Sequence, residues 1–243
     1  MRISVLNRKG LNLFIAKYRQ SEEYIKREVQ TAFCGFARRL IDRLIHERPN
    51  RPKWDTQDLT ALINSLKSPE NSENFMDRRF EKNLRKLEFP EDVHYLIMAE
   101  FRALPEGALG YTGVGLVAIT KISLDEVDQV RMYLADLYSA NTLSQVKAAV
   151  RKYEEKNIGQ VTAGIFSPWA HYMHPKICPI INSKSRRMMK EFGFDWDGDY
   201  AIAIDLFMEL GKTFGIEDLG LVDRLISSTR LRAGLDKLIQ INN

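Results

Sequence analysis

Four cations lie close together in one short stretch of the chain. They are Lys184, Arg186, Arg187 and Lys190. The apolar residues of the same stretch recur at complementary helical positions, at Met188, Met189 and Phe192. Such a helix would place one face in a core and turn its cations outward, as contact with nucleic acid phosphates requires. The alternative is a basic helix face that contacts only solvent.

Asn182 directly precedes this basic helix and has two interpretations. Asparagine is favoured at helix N-caps, where its side-chain oxygen accepts backbone N–H groups. An amide oxygen could also hold a water molecule or stabilise a positively charged sugar in a transition state. In that case the acidic loop that follows, with Asp195, Asp197 and Asp199, would supply general acid–base chemistry. The sequence leaves the cap and the catalytic interpretation open.

Aromatic and imidazole side chains flank the same turn. They are Trp169, His171, Tyr172, His174 and Trp196. An enzyme that acts on a base must take it out of the stack and hold it between aromatic walls with hydrogen bonds to its edge. These residue types could form that base pocket, or they could simply belong to the core.

No motif for a metal or a nucleotide passes its spacing test. His171, His174 and Cys178 lack the glutamate of a zincin, and Pro175 interrupts them. The acidic run after residue 194 has Tyr200 and Leu206 where a calcium loop needs Gly and Glu. The glycine pair at 113–115 lacks a dinucleotide fingerprint, and no phosphate-binding loop occurs. We therefore predict no metal and no nucleotide cofactor.

The elements that position these residues are predicted to be helices. Apolar periodicity, capping boxes at Ser123 and Thr142, and proline and glycine stops predict them at 22–47, 58–66, 90–104, 124–139, 143–156, 183–192, 199–213, 218–229 and 230–240. Residues 50–74 are polar enough to predict a surface excursion around the short helix. Residues 107–122 fit a strand as well as a helix, which leaves room for a short β-hairpin. We predict a mostly α fold with an N-terminal helical region at 1–104 and a second helical region at 105–243, which together form one compact unit.

A short turn with one glycine joins the helix at 143–156 to the apolar run that begins at Ala163. Its candidate contacts to a phosphate are Asn157, Gly159, Gln160 and Thr162. The turn, the prolines at 175 and 179, Asn182 and the basic helix follow one another in an order that resembles the helix-hairpin-helix DNA glycosylase superfamily. The order is also similar to that of helical DNA-recognition domains in restriction systems of the McrBC type. The resemblance covers 157–192 in recognisable residues and 123–229 in helix order.

The resemblance implies a protein that binds double-stranded DNA and a function as a DNA glycosylase. In those enzymes a catalytic carboxylate stands where this chain has Asn182, and bifunctional members have a lysine where it has Val161. We therefore expect a monofunctional enzyme that hydrolyses the N-glycosidic bond of a damaged or modified base. It would act in repair or in defence against phage, with Asn182, Asp195 and Asp197 as catalytic residues. The alternative is a non-catalytic module that recognises modified or foreign DNA.

Composition sets wider bounds on the protein. The 243 residues include 36 Lys and Arg against 32 Asp and Glu, an excess too small to require a polyanionic partner. Cys34 and Cys178 lie far apart without metal-binding spacing, which favours a reducing compartment. No signal peptide or membrane-spanning run is visible, so we expect a cytoplasmic protein, and we assume a monomer.

Overall fold

The computed structural model describes residues 8–48, 51–66, 73–108, 123–155 and 163–227. These residues form helices and turns with no strand among them, which confirms the predicted mostly α fold. In chain order the helices are α1 (Arg8–Arg19), α2 (Glu22–His46), α3 (Thr56–Leu66), α4 (Glu73–Arg85), α5 (Glu91–Arg102), α6 (Leu124–Ser139), α7 (Leu143–Glu155), α8 (Ala163–Met173), α9 (Ser183–Glu191), α10 (Tyr200–Phe214) and α11 (Leu219–Ser227). The predicted helix at 230–240 and the candidate strands within 109–122 lie outside the described residues.

Helix α2 is the centre of the fold. Ser21 caps its first turn by accepting the N–H of Tyr24, and its apolar face is buried along most of its length. This face packs against α1, α5, α6, α8 and α11. Because α2 belongs to the region predicted at 1–104 and α6, α8 and α11 to that at 105–243, the two regions share one hydrophobic core.

Both predicted capping boxes are present. The N–H of Glu126 donates to Ser123 Oγ at 3.3 Å, and the N–H of Ser123 donates to Glu126 Oε2 at 2.6 Å. Thr142 and Gln145 make the same reciprocal pair at 3.3 and 3.1 Å. These caps fix where α6 and α7 begin, and α7 then ends at Glu155, immediately before the predicted hairpin.

Residues 51–66 do not form the surface excursion that the polar composition of 50–74 predicted. Leu59, Leu62 and Leu66 of α3 are almost fully buried, and Trp54 lies in the core with its Nε1 donating to Leu44 O at 3.3 Å. The prediction was wrong because proline and asparagine on both sides of α3 dominate the composition of the segment. The helical spacing of the leucines is the stronger signal, since it gives α3 a continuous apolar face.

A buried polar network joins α2 to the turn before α9. Arg27 is 4% exposed and binds Asp218 through two bonds, from Nη2 at 2.8 Å and from Nε at 3.0 Å. Its Nη2 also donates to Pro175 O at 2.6 Å, and its Nη1 lies 3.2 Å from His171 Nε2. One guanidinium therefore holds α2, α8, the turn at Pro175 and the start of α11 together.

The network makes the free energy of unfolding depend on pH in the acid range. Burial, together with the nearby Arg27 guanidinium, lowers the pKa of His171 to about 3. Below its ordinary pKa of about 6.5 the unfolded chain binds a proton that the folded chain excludes, so the free energy of unfolding should fall by about 1.4 kcal/mol per pH unit down to about pH 3. Urea unfolding of the parent and of His171→Gln across this range measures the effect. The prediction is contradicted if the free energies of unfolding of the parent and of His171→Gln differ by the same amount at every pH.

Candidate nucleic-acid interface

Helix α9 has the orientation that its sequence predicts. Met188 and Met189 are 1% exposed and Phe192 is buried beside them, so one face of the helix belongs to the core. All four cations of the helix are exposed: Lys184, Arg186, Arg187 and Lys190. The helix therefore presents a cationic surface, defined by these four side chains, on a backbone that is anchored from behind.

The four cations differ in how firmly they are held. The guanidinium of Arg186 lies over the ring of Trp196, 5.1 Å from its centre, and Arg187 pairs with Glu191 at 3.6 Å. Lys184 and Lys190 have no ion pair within the part of the chain that the structure describes. A phosphate would therefore meet two exposed lysines and one arginine that is already oriented by an aromatic ring.

Asn182 is the N-cap of α9, and its catalytic role stays a prediction. Its Oδ1 accepts the N–H groups of Lys184 and Ser185, at 2.8 and 3.1 Å. Its own N–H donates to Ser185 Oγ at 3.3 Å and completes a capping box. Since the side-chain oxygen already accepts two backbone donors, the cap also uses N–H groups that could otherwise bind a phosphate.

The acidic loop at 195–199 lies beside α9. Its Trp196 ring contacts the guanidinium of Arg186. Asp199 caps α10 by accepting the N–H of Ile202 at 2.8 Å, and Asp197 accepts the N–H of Asp199 at 3.0 Å. The side chain of Asp195 is exposed. Two of the three carboxylates therefore have local structural partners.

Four of the five predicted base-pocket residues are core residues in this structure. Trp169, His171, Tyr172 and His174 are each less than a tenth exposed, and only Trp196 is partly open. Both imidazoles bind backbone carbonyls: Nδ1 of His171 lies 2.6 Å from Cys178 O, and Nε2 of His174 lies 2.6 Å from Leu137 O. These side chains stabilise the turns around α8, and an extruded base could reach them only after a rearrangement. Their role as a base pocket stays a prediction.

The predicted hairpin contacts lie outside the described residues. These are Asn157, Gly159, Gln160 and Thr162. The elements on either side match the prediction, since α7 ends at Glu155 and α8 begins at Ala163. The role of the hairpin as a phosphate-binding turn therefore remains a prediction.

Two carboxyls near this surface were not identified from the sequence. Burial raises the pKa of Glu154 to about 7, although its Oε1 accepts the N–H of Tyr200 at 2.6 Å. Burial also raises the pKa of Asp223 to about 7, and its Oδ1 lies 3.1 Å from the hydroxyl of Ser185 in α9. The sequence contains a signal for Asp223, because it is an acidic residue within the apolar run of α11. It contains none for Glu154, whose neighbours in the chain are mostly charged as well.

Within the described ranges, no three His, Cys, Asp or Glu side chains are placed to hold a metal ion. No helix among these residues combines the length and the apolar character needed to cross a membrane. No protein-family model, curated protein or solved structure matches the chain.

Proposed function

We propose that the chain is a DNA-binding protein whose main contact is the cationic surface of α9. The observation that carries the proposal is that all four cations of this helix are exposed while its opposite face is anchored in the core. A rigid helix with outward cations can follow a phosphate backbone without losing much conformational freedom on binding. The predicted hairpin at 157–162 would add backbone N–H contacts.

Recognition without chemistry is the simpler form of this function. An amide cannot act as a general base, and the oxygen of Asn182 is occupied by two backbone donors. The residues predicted to hold an extruded base are mostly buried. These contacts favour a module that recognises modified or foreign DNA, as in restriction systems, over an enzyme.

The test of DNA binding is a salt titration. Fluorescence anisotropy should detect binding of a short labelled duplex, and the logarithm of the binding constant should fall linearly with the logarithm of salt concentration, by about 0.9 for each phosphate neutralised. A panel of duplexes with normal, damaged and hypermodified bases would then reveal specificity. A protein with no affinity for any duplex at low salt would contradict the proposal.

A monofunctional DNA glycosylase is the second candidate, and Glu154 is the observation that favours it. A carboxyl with a pKa of about 7 can give or take a proton at neutral pH, as general acid–base catalysis requires. Glu154 is close to the C-terminus of α7, just before the predicted hairpin, and its side chain accepts the N–H of Tyr200, the first residue of α10. The negative charges of Asp197 and Asp199 also raise its pKa. Abasic-site formation on the same panel of duplexes would test this activity.

Substitutions of Asn182 separate the two candidates. Asn182→Ala removes the cap and should cost about 1 kcal/mol of stability in either case. For a glycosylase that uses Asn182, it should also reduce base excision far more than it reduces DNA affinity. Asn182→Asp keeps the cap and supplies the carboxylate of the resembled enzymes, so it isolates chemistry from folding. Equal excision rates in the parent and in both folded variants would exclude a catalytic role for Asn182.

A further inference from the structure

A buried carboxyl lies directly behind the start of α9. Asp223 of α11 is 8% exposed, and α11 packs against α2, α9 and α10. Its Oδ1 lies 3.1 Å from Ser185 Oγ and 2.9 Å from Ser227 Oγ. Ser185 is itself fully buried and is the residue that completes the capping box of Asn182. The carboxyl is therefore one hydroxyl away from the cap of the cationic helix.

The one hydroxyl proton of Ser185 has two acceptors within reach. Ser185 Oγ can donate to Ile180 O or to Asp223 Oδ1, each at 3.1 Å, while Ser227 Oγ lies 2.9 Å from the same Oδ1. Ser185 cannot donate to Ile180 O and to an ionised Asp223 at the same time, because a hydroxyl has one proton. A protonated Asp223 removes this competition, since it can donate to Ser185 while Ser185 donates to Ile180.

Ionisation of Asp223 would therefore change the turn that leads into α9. The carboxylate would draw the proton of Ser185 toward itself and leave Ile180 O without that donor, two residues before the cap. A partly buried acceptor that loses its donor costs free energy, and so does a buried carboxylate without enough donors. Both penalties act on the segment that holds Asn182 and the first turn of α9.

We propose that Asp223 is a positioning residue that holds the start of α9 in place when protonated, so that DNA binding through α9 weakens as the pH rises through neutrality. The inference rests on the proposed DNA-binding function. Groups from each neighbouring helix act on the carboxyl. Arg27 of α2 and Arg224 of α11 favour its ionised form, whereas burial favours the protonated one; Tyr200 of α10 is the nearby titratable group of that helix, and it is uncharged at neutral pH because burial raises its pKa. Helix α9 contributes Ser185, and its four cations point to solvent.

The direct test follows the amides of the cap rather than DNA. In the parent protein, the backbone amide resonances of Asn182 and Ser185 should shift between about pH 6 and pH 8.5 with a midpoint near pH 7. In Asp223→Asn the shift should be absent, because an amide does not ionise. Glu154 of α7, which contacts the first residue of α10, also has a pKa of about 7. Glu154→Gln is therefore the matched control, and in this variant the amides of Asn182 and Ser185 should still shift with pH.

The second measurement is duplex affinity at constant salt across the same pH range. The parent should lose affinity several-fold toward high pH, while Asp223→Asn should lose little. If Asp223→Asn does not fold, Ser185→Ala serves instead, because it removes the hydroxyl that links the carboxyl to the cap and should also flatten both profiles.

The outcomes distinguish this inference from the proposed function. Parent cap amides that do not titrate would overturn the inference, whatever the protein binds. Cap amides that titrate with a duplex affinity independent of pH would overturn it as well. Titrating cap amides in a protein that binds no DNA at any pH would contradict the proposed function and support the positioning of α9 by Asp223.

Discussion

Replacing Arg27 by alanine should lower the free energy of unfolding by about 3–5 kcal/mol. The substitution leaves Asp218 without its bidentate partner and removes the donor to Pro175 O in a site that is mostly buried. Arg27→Lys should not restore stability, because one ammonium cannot bind both carboxylate oxygens and still reach the carbonyl of Pro175. Urea or guanidinium unfolding measures the loss.

Arg39→Ala is the matched control for Arg27→Ala. Arg39 also belongs to α2 and pairs with Glu100 at 2.8 Å, but half of its side chain is exposed. Removing an exposed ion pair should cost at most about 1 kcal/mol. Equal losses of stability in the two variants would show that the buried network contributes no more to the free energy of unfolding than an exposed ion pair does.

The same network makes a prediction at Gly220 in α11. Alanine improves helix propensity by about 1 kcal/mol, so Gly220→Ala would stabilise an isolated helix. In the folded chain, however, the new Cβ would lie 2.4 Å from Arg27 Nη2 and 2.9 Å from His171 Cε1. Because four hydrogen bonds to three residues hold this guanidinium, it cannot move aside freely, and we expect a loss of about 1–3 kcal/mol.

Gly35 of α2 provides the opposite case. A Cβ at this position would meet only Arg39 Nη1, at 3.6 Å, so Gly35→Ala should be neutral or stabilising. Stabilisation by both substitutions would mean that Arg27 and His171 can shift without cost.

Local signals in the sequence predicted most of the helices that surround the site. Capping boxes at Ser123 and Thr142 predicted the starts of α6 and α7, and the alternation of cations with methionines predicted both faces of α9. Helix α1 was not predicted, although Leu11, Ile15 and Tyr18 have helical spacing and are buried. Their neighbours are mostly basic and polar, which hides a short apolar face.

The sequence predicted the surface of the site better than its interior. Exposed cations and a cap follow from local patterns, whereas the pairing of Arg27 with Asp218 joins residues 191 positions apart. Asp223 and Ser185 likewise meet only because α9 and α11 pack together. The aromatic residues around His171 were open to two interpretations, since composition does not distinguish a core from a pocket.

The cations of α9 have the largest expected effect on function. Replacing Lys184, Arg186, Arg187 and Lys190 by alanine should weaken binding to all duplexes alike and reduce the salt slope by up to about 3.6, if each cation neutralises one phosphate. Because Lys184 and Lys190 have no ion pair among the described residues, replacing these two alone should give about half of the reduction. Stability should change little, since all four side chains are exposed.

Net charge alone could also weaken DNA binding, so the control removes the same charge elsewhere. Lys17, Lys53, Lys86 and Arg151 are exposed and lie outside α9. Alanine at these four positions lowers the net charge by the same amount, but it should retain most of the parent salt slope, because only cations close to phosphates displace counterions. If both fourfold variants lose the slope equally, the DNA contact is diffuse and α9 is not its centre. If the α9 variant folds and binds like the parent, DNA does not contact this helix.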